Sequence, residues 1–510
     1  MLTRKQWLAV VIPVAIVALV CAGLSLAPKF LNSYVLRDKL EKIAADRFHV
    51  QVKVETLRVS VFPKLEVQFT GLTMRNPDRP DLPPLIEINS CSAQASVFGL
   101  LEHHPHLRSV HMQGLTLNIP PHEGTQKKEK FRTNFVVDQI TSDDMTLNIL
   151  RKDAVRHLSF LLHKVRIDSF RPDNPAAFHT YLTNAKPVGE IQTNGQFGPW
   201  NPDDPSQTPV SGSYTFSHAD LSTIKGISGT LSSIGSYYGV LDYIQVQGKT
   251  ETPDFAVNVS QHPVPLNTEF NAVVDGINGN TILNTIQIQL VDSQMVAKGD
   301  VAKGPRQPGR AVALDVVANA ARIQDLLRVA VKSNQPLLTG IVDLKTRLVI
   351  PSRRSKDADI TDRIDLQGRF GIVSARFTQN TVQEKVNSLS RRGRGQPNDT
   401  DDGSPVSRLT GTFTLQNGVI RFSKLTFNVS GAAILLNGTY NLDTEEMNFR
   451  GTLSLQAKLS QTTTGVKSVF LKLIDPLFKK KNAGTVIPIK ITGTREKPSF
   501  GLDRGRVFGW

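Results

Sequence analysis

Strict two-residue alternation of apolar and polar side chains recurs along most of this chain, and it restricts those stretches to extended backbone. Its clearest instance is VHMQGLTLNIPP at 110–121, which returns about thirty residues later as ITSDDMTLNILR at 140–151. Within the shared cores LTLNI (115–119) and MTLNI (145–149), Leu115, Leu117 and Ile119 point to one side, and Thr116 and Asn118 to the other. Met145, Leu147 and Ile149 repeat the arrangement. The two copies therefore offer matched apolar faces, as successive strands of one sheet would.

The same alternation organises the rest. SYVLRDKLEKIAADRF (33–48) spaces Leu36, Leu40, Ile43 and Ala44 along one helical face. After it, HVQVKVETLRVSVF (49–62) and KLEVQFTGLTMRN (64–76) flank Pro63 as a hairpin, and LIEINSCSAQASV (85–97) continues as strand. From 155 to 350 short alternating segments recur between Gly, Asn, Asp and Pro. There FRPDNPAAFHTYLTNA looks irregular, and ARIQDLLRVAVKSN (321–334) reads as a helix. Residues 384–407 pass from Arg-rich to Asp-rich and read as a helix end and a flexible loop. RLTGTFTLQNGVIRFSKLTFNVSGAAILLNGTYNLDTEEMNFRGTLSLQ (408–456) reads as about five antiparallel strands, with turns at Asn417-Gly418 and Asp443-Thr444-Glu445. Beyond it, Val466, Val469, Phe470, Leu473 and Leu477 lie at helical spacing beside five lysines. The total is about twenty-five strands. No linker-like break separates 50 from 380, which favours one extended sheet over several closed sandwiches.

Met1–Trp7 carries Arg4 and Lys5, and Leu8–Ala27 is an uncharged apolar run long enough to cross a bilayer. A cleaved signal peptide is the rival reading, but its apolar core is normally shorter. The basic flank would hold residues 1–7 in the cytoplasm and put the remaining chain outside it. The excess of 60 basic over 45 acidic residues, a net charge of +15, favours anionic partners. Nucleic acid is the weaker choice, since no RNP-like motif, zinc-finger spacing or concentrated basic helix is present. The only two cysteines, Cys21 in the apolar run and Cys91 in a strand, make no metal site and no expected disulfide.

Chemistry-bearing patterns are sparse. In EHHPH (102–106), Pro105 interrupts any helix that could align the histidines on a metal, and a solvated loop is the plainer reading. Asp143-Asp144 and the aspartates of 399–402 sit where turns are expected, and nucleophile-elbow, phosphate-loop and HExxH patterns are missing. The expectation is a protein without catalytic residues, cofactor or metal.

Four stretches resemble the AsmA-like family of bacterial envelope proteins, with its TamB-like and YhdP-like members. They are YVLRDKLEKIAADRFHVQVKVETLRVSVFPKLEVQFTGLTMRNP behind the anchor, ASVFGLLEHHPHLRSVHMQGLTLNI, LTGTFTLQNGVIRFSKLTFNVSGAAILLNGTYNL, and IDPLFKKKNAGTVIPIKITGTREKPSFGLD (474–503). They cover about a third of the chain, and their order carries the likeness. The resemblance implies a mainly β fold: an N-terminal transmembrane helix, then a long, bent antiparallel sheet forming an apolar-lined groove, with a few capping helices. The corresponding organisation is a cytoplasmic N-terminus (1–7), the membrane helix (8–27), an N-terminal helix and sheet (28–150), a central groove (151–383), a flexible loop (384–407) and a C-terminal meander with an amphipathic helix (408–510).

The function so implied is a bacterial inner-membrane, single-pass protein with its bulk in the periplasm. It would bind phospholipid acyl chains and contribute to phospholipid transport or outer-membrane biogenesis, with another envelope protein or the outer membrane as partner. The alternative is an interaction scaffold that assists assembly of outer-membrane proteins. Leu115, Leu117, Ile119, Met145, Leu147 and Ile149 are the expected lipid-contact positions. The 466–477 helix is expected either to cap the groove or to lie on an anionic surface.

Overall fold

The computed structural model describes residues 37–38, 41–42, 50–60, 64–77, 80–96, 106–119, 136–149, 158–171, 173–199, 201, 204–303, 309–333, 335–352, 359–399, 406–458 and 485–503. The apolar run 8–27 and the amphipathic segment 466–477 lie outside them. Among the described residues no helix is long and apolar enough to cross a membrane. The chain divides into two compact units. One comprises Met1–Asp220, Leu231–Lys249 and Asn271–Thr281; the other comprises Leu221–Thr230, Thr250–Phe270 and Ile282–Trp510.

The first unit is built on β1 (Gln51–Lys53), β2 (Thr56–Ser60), β3 (Leu65–Arg75), β4 (Ile86–Ala95), β5 (His106–Ile119), β6 (Val136–Ile149), β7 (Leu158–Phe170), β8 (Ala176–Ala185), β9 (Val188–Phe197) and β10 (Pro209–Asp220). β1 and β2 both pair with β3, giving the hairpin expected around Pro63. From β3 each strand pairs with the next through β10.

One of these pairs departs from the expected antiparallel meander: β5 and β6 run parallel. Parallel neighbours need a crossover connection of a dozen residues or more, and residues 120–135 supply that length. A second departure is β8, a regular strand in the segment read as irregular. After Pro175 every backbone N–H is again free to donate, so a proline at the strand's threshold costs the ladder nothing.

The stretch from 221 to 290 carries β11 (Ile227–Ser228), β12 (Thr230–Val240), β13 (Tyr243–Val257), β14 (Val264–Val274) and β15 (Thr281–Leu290). The second unit continues with β16 (Ser293–Lys303), β17 (Arg310–Arg322), β18 (Leu338–Ile350), β19 (Asp365–Phe377), β20 (Arg408–Gln416), β21 (Val419–Val429), β22 (Ala432–Asn441), β23 (Glu446–Leu455), β24 (Thr485–Thr494) and β25 (Pro498–Leu502). These ten strands pair consecutively, every pair antiparallel. Residues 408–456 thus hold four strands rather than five. Their turns fall where expected: Asn417 and Gly418 both take left-handed φ, 50° and 73°.

Among the described residues two α-helices accompany this unit. α1 (Ile323–Ala330) falls in the segment read as helical. Its buried Asp325 accepts a hydrogen bond from Ser293 Oγ at 2.8 Å, fixing the helix start to the beginning of β16. α2 (Asn380–Gly393) covers the first part of the segment 384–407, expected to begin with a helix end before a flexible loop. The helix persists to Gly393 because Val386 and Leu389 pack into the apolar cluster and Ser390 Oγ donates to Ser430 O at 2.8 Å.

Candidate functional site

The repeated strands meet residue for residue. In the parallel β5–β6 ladder Thr116 faces Thr146, Leu117 faces Leu147, Asn118 faces Asn148 and Ile119 faces Ile149. All six expected contact positions therefore lie on two neighbouring strands. For the four whose side chains are described, the environment is a core, not an open surface. Leu115 and Leu117 are 3% and 1% exposed, and Met145 is buried. Leu147 packs at the border of the same cluster, which Phe69, Leu72, Ile86 and Val110 also join. The side chains of Ile119 and Ile149 lie outside the described residues.

An Asn ladder locks the register. Asn118 is buried; its Nδ2 donates to Pro84 O at 2.7 Å, and its Oδ1 accepts from Asn148 Nδ2 at 2.9 Å.

The core depends on a phase change shared by four strands. Buried apolar residues step by three at Phe69–Leu72 in β3, Ile88–Cys91 in β4 and Met112–Leu115 in β5; in β6 the same step runs from buried Ser142 to Met145. At each step two residues, one more than alternation allows, lie between consecutive same-face positions without shifting the pairing, which puts Gly71 level with Asn89 and Asn89 level with Gly114. Gly71, Gly114 and Asp144 absorb it with φ of 61°, 62° and 54°. A Cβ on Gly114 would lie 2.1 Å from Asn89 Nδ2, so glycine is required there. Because neighbouring strands carry the extra residue at one level, the apolar face is kept on both sides of the line.

A second apolar face occurs in the other unit, and register defines it across eight strands. One row reads Leu344, Phe370, Gly411, Leu425, Leu436, Gly451 and Ile489 from β18 to β24. The next reads Gly368, Phe413, Phe422, Gly438, Phe449, Ile491 and Phe500 from β19 to β25. Rings lean over glycines on adjacent strands: a Cβ on Gly411 would meet Phe370 at 2.7 Å, and one on Gly438 would meet Phe449 at 2.8 Å. The rings also touch one another, with Phe370–Phe422 centroids 6.2 Å apart and Phe422–Phe449 5.8 Å.

Cover over this face is uneven. Val342, Ile372 and Phe427 are buried in one cluster with Val386 and Leu389 of α2 and Leu326 and Leu327 of α1. Beyond that end, Leu348, Leu366, Phe413, Ile420, Phe422 and Ile491 are only half-buried and stand outside the cluster. The sequence signal for this face is the recurrence of Gly and Phe two residues apart in G-T-F (411–413) and G-R-F (368–370), which ordinary strand alternation does not require.

The polar face of the first unit carries titratable side chains in contact. His106 Nε2 lies 2.7 Å from Asp138 Oδ1, and His111 Nδ1 lies 2.9 Å from Thr141 Oγ1, both across the parallel ladder. His111 stands on the polar side of its strand, as alternation predicts. A cavity of about 650 Å³ is lined there by Lys164, Arg166, His179, Tyr181, Asn194 and Ser213. Arg166 is already engaged, donating through Nε to both oxygens of Asp168 at 2.9 Å. Burial raises the Tyr181 phenol, and its hydrogen bond and charge contact with Glu190 push the same way. Among the described residues no group of three or more His, Cys, Asp or Glu side chains could hold a metal ion. Cys91 is a buried thiol on the core face, outside any disulfide. The comparisons add no relative: the chain matches no family model, no curated protein and no solved structure.

Proposed function

We propose that this chain is a membrane-anchored envelope protein that holds lipid acyl chains against an apolar sheet face and contributes to phospholipid transport or outer-membrane biogenesis. The observation that carries the reading is the half-covered face of β18–β25, where Phe413, Phe422, Ile420 and Ile491 are aligned by register yet left partly wet. Each such side chain forgoes on the order of 1 kcal/mol relative to full burial. An occupant whose surface is hydrocarbon recovers that energy without needing a hydrogen-bond partner. The sealed core around Leu115, Leu117 and Met145 then serves as the rigid start of the sheet, and the lipid-contact role moves to the second unit. Residues 8–27 fit the anchor in this reading.

The full-length protein extracted in mild detergent and analysed by mass spectrometry is expected to carry phospholipid. Phe413→Arg with Phe422→Arg is expected to lower the bound lipid several-fold. Wild-type protein without lipid, or the double variant with unchanged lipid, sinks the proposal. A photocrosslinker at Phe413 that captures polypeptide instead would favour the scaffold alternative.

A further inference from the structure

The face of β18–β24 opposite the half-covered apolar one is unusually cationic. Register puts Lys345 of β18 directly against Arg369 of β19, followed by Thr412 of β20 and Lys424 of β21. On the next strands Asn437 of β22 faces Arg450 of β23, which faces Lys490 of β24. All of these side chains are exposed. Arg347 and Arg421 lie on the same face, each next to the row along its own strand; Arg347 has Asp315 at 3.3 Å. Lys345, Arg369, Lys424, Arg450 and Lys490 have no ion pair among the described residues.

Two features argue against a merely solvated surface. Like charges stand directly opposite each other at Lys345–Arg369 and at Arg450–Lys490, an arrangement that destabilises a sheet. Of the acidic residues of the face, Asp365 and Glu446 sit at strand ends, and Asp343, in the middle of β18, is occupied by the Ala320 N–H at 2.8 Å. The second feature is apolar. Ile341 and Val373 are cross-strand neighbours on this polar face, 42% and 40% exposed, and Leu435 lies one same-face position from Asn437 at 46%. A soluble polyanion gains nothing from exposed Ile, Val and Leu. The head-group region of a bilayer accommodates both cations and apolar side chains.

We propose that this polar face is a docking surface for an anionic lipid bilayer, engaged through Lys345, Arg369, Lys424, Arg450 and Lys490. It does not depend on what occupies the opposite face. Each Lys or Arg close to an anionic surface contributes about 1 kcal/mol, or roughly fivefold in partitioning. Four of them removed together therefore predict a loss of about a hundredfold or more.

The test uses full-length protein reconstituted in phosphatidylcholine proteoliposomes and measures capture of fluorescent vesicles. Vesicles with about one third phosphatidylglycerol are expected to be captured at low salt and released at high salt, whereas pure phosphatidylcholine vesicles are not. Lys345→Gln, Arg369→Gln, Arg450→Gln and Lys490→Gln combined are expected to abolish capture while the melting temperature holds or rises, since both like-charge pairs are removed. Ile341→Ser with Val373→Ser, which keeps every charge, is expected to weaken capture while leaving its salt dependence in place. Equal capture of both vesicle types overturns the proposal, as does full capture by the quadruple variant. So does binding of a soluble polyanion such as heparin with no binding of anionic vesicles.

Discussion

Asn118 is a buried polar side chain on the strand face opposite Leu115 and Leu117, and its two hydrogen bonds explain its presence. Asn118→Ala strands the Pro84 carbonyl and part of the Asn148 amide away from water. A loss of about 1–3 kcal/mol in denaturant-derived stability is expected. Asn118→Asp should be no better, because a carboxylate cannot donate to Pro84 O. One residue earlier, Leu117→Ala removes a side chain that is 1% exposed, and a cost of about 2–5 kcal/mol is expected. Tyr440 sets an alkaline limit. Burial pushes its phenol up to about 12, Glu445 adds to the rise and Arg495 opposes it. The unfolded phenol ionises near 10.0, so the protonated ring's contribution is whole below that pH. It is lost as pH climbs from about 10 to about 12. Denaturation midpoints should fall over that window, and Tyr440→Phe should flatten part of the fall; an identical profile would remove Tyr440 from the account. Tyr214 and Tyr237, raised by burial against the lowering effect of hydrogen bonds from Ser233 and Thr193, are expected to supply some of the remainder.

At the scale of single elements, close backbone approach decides where α2 ends. Gly393 lies so near Gly431 that a Cβ would come within 2.5 Å of the Gly431 carbonyl oxygen. Gly393→Val is expected to lift the end of the helix, read as faster amide exchange over 380–393 with strands β3–β6 unchanged. Uniform exchange along the chain would show that α2 does not open on its own. Alternation made most strands legible, because side chains that take turns facing oil and water leave a period of two in the letters. It identified β20–β23 with their Asn417-Gly418 and 443–445 turns, and α1 by its change of period. Direction is different: LTLNI alternates identically whichever way its neighbour runs, so the parallel β5–β6 pair was invisible. The exposure of the matched strands was equally hidden. An apolar face reads the same whether covered by other side chains, as at Leu115 and Leu117, or left half-wet, as at Phe413 and Phe422. The three-residue steps at Phe69–Leu72 and Met112–Leu115 are written in the sequence, but a lone step looks like noise until its neighbours carry the same one. A helix end was legible at the start of 384–407, but its extent to Gly393 was obscured by the Arg-rich last turn, where Val386 and Leu389 determined the outcome.

At the scale of the molecule, cover over the apolar side chains differs between the two units, and that contrast is measurable. A photoreactive amino acid placed at Phe413 or Ile491 is expected to label lipid acyl chains in membranes, whereas one at Leu117 is expected to label neighbouring strands. Lipid adducts at Leu117 as frequent as those at Phe413 would contradict the division. The parallel pairing has a further consequence for how such a chain changes over generations. The partners in the β5–β6 ladder lie 30 residues apart, as His111 and Thr141 do and as Asn118 and Asn148 do. A stretch of gene of that length, copied in tandem, delivers a strand whose backbone donors and acceptors already match those of its parent. It brings its own Asn rung and its own kink at the Gly114 or Asp144 level. Neither neighbour has to be redesigned to admit the newcomer. Span then becomes a heritable variable that moves in steps of one strand, much as a fence is lengthened by repeating a paling.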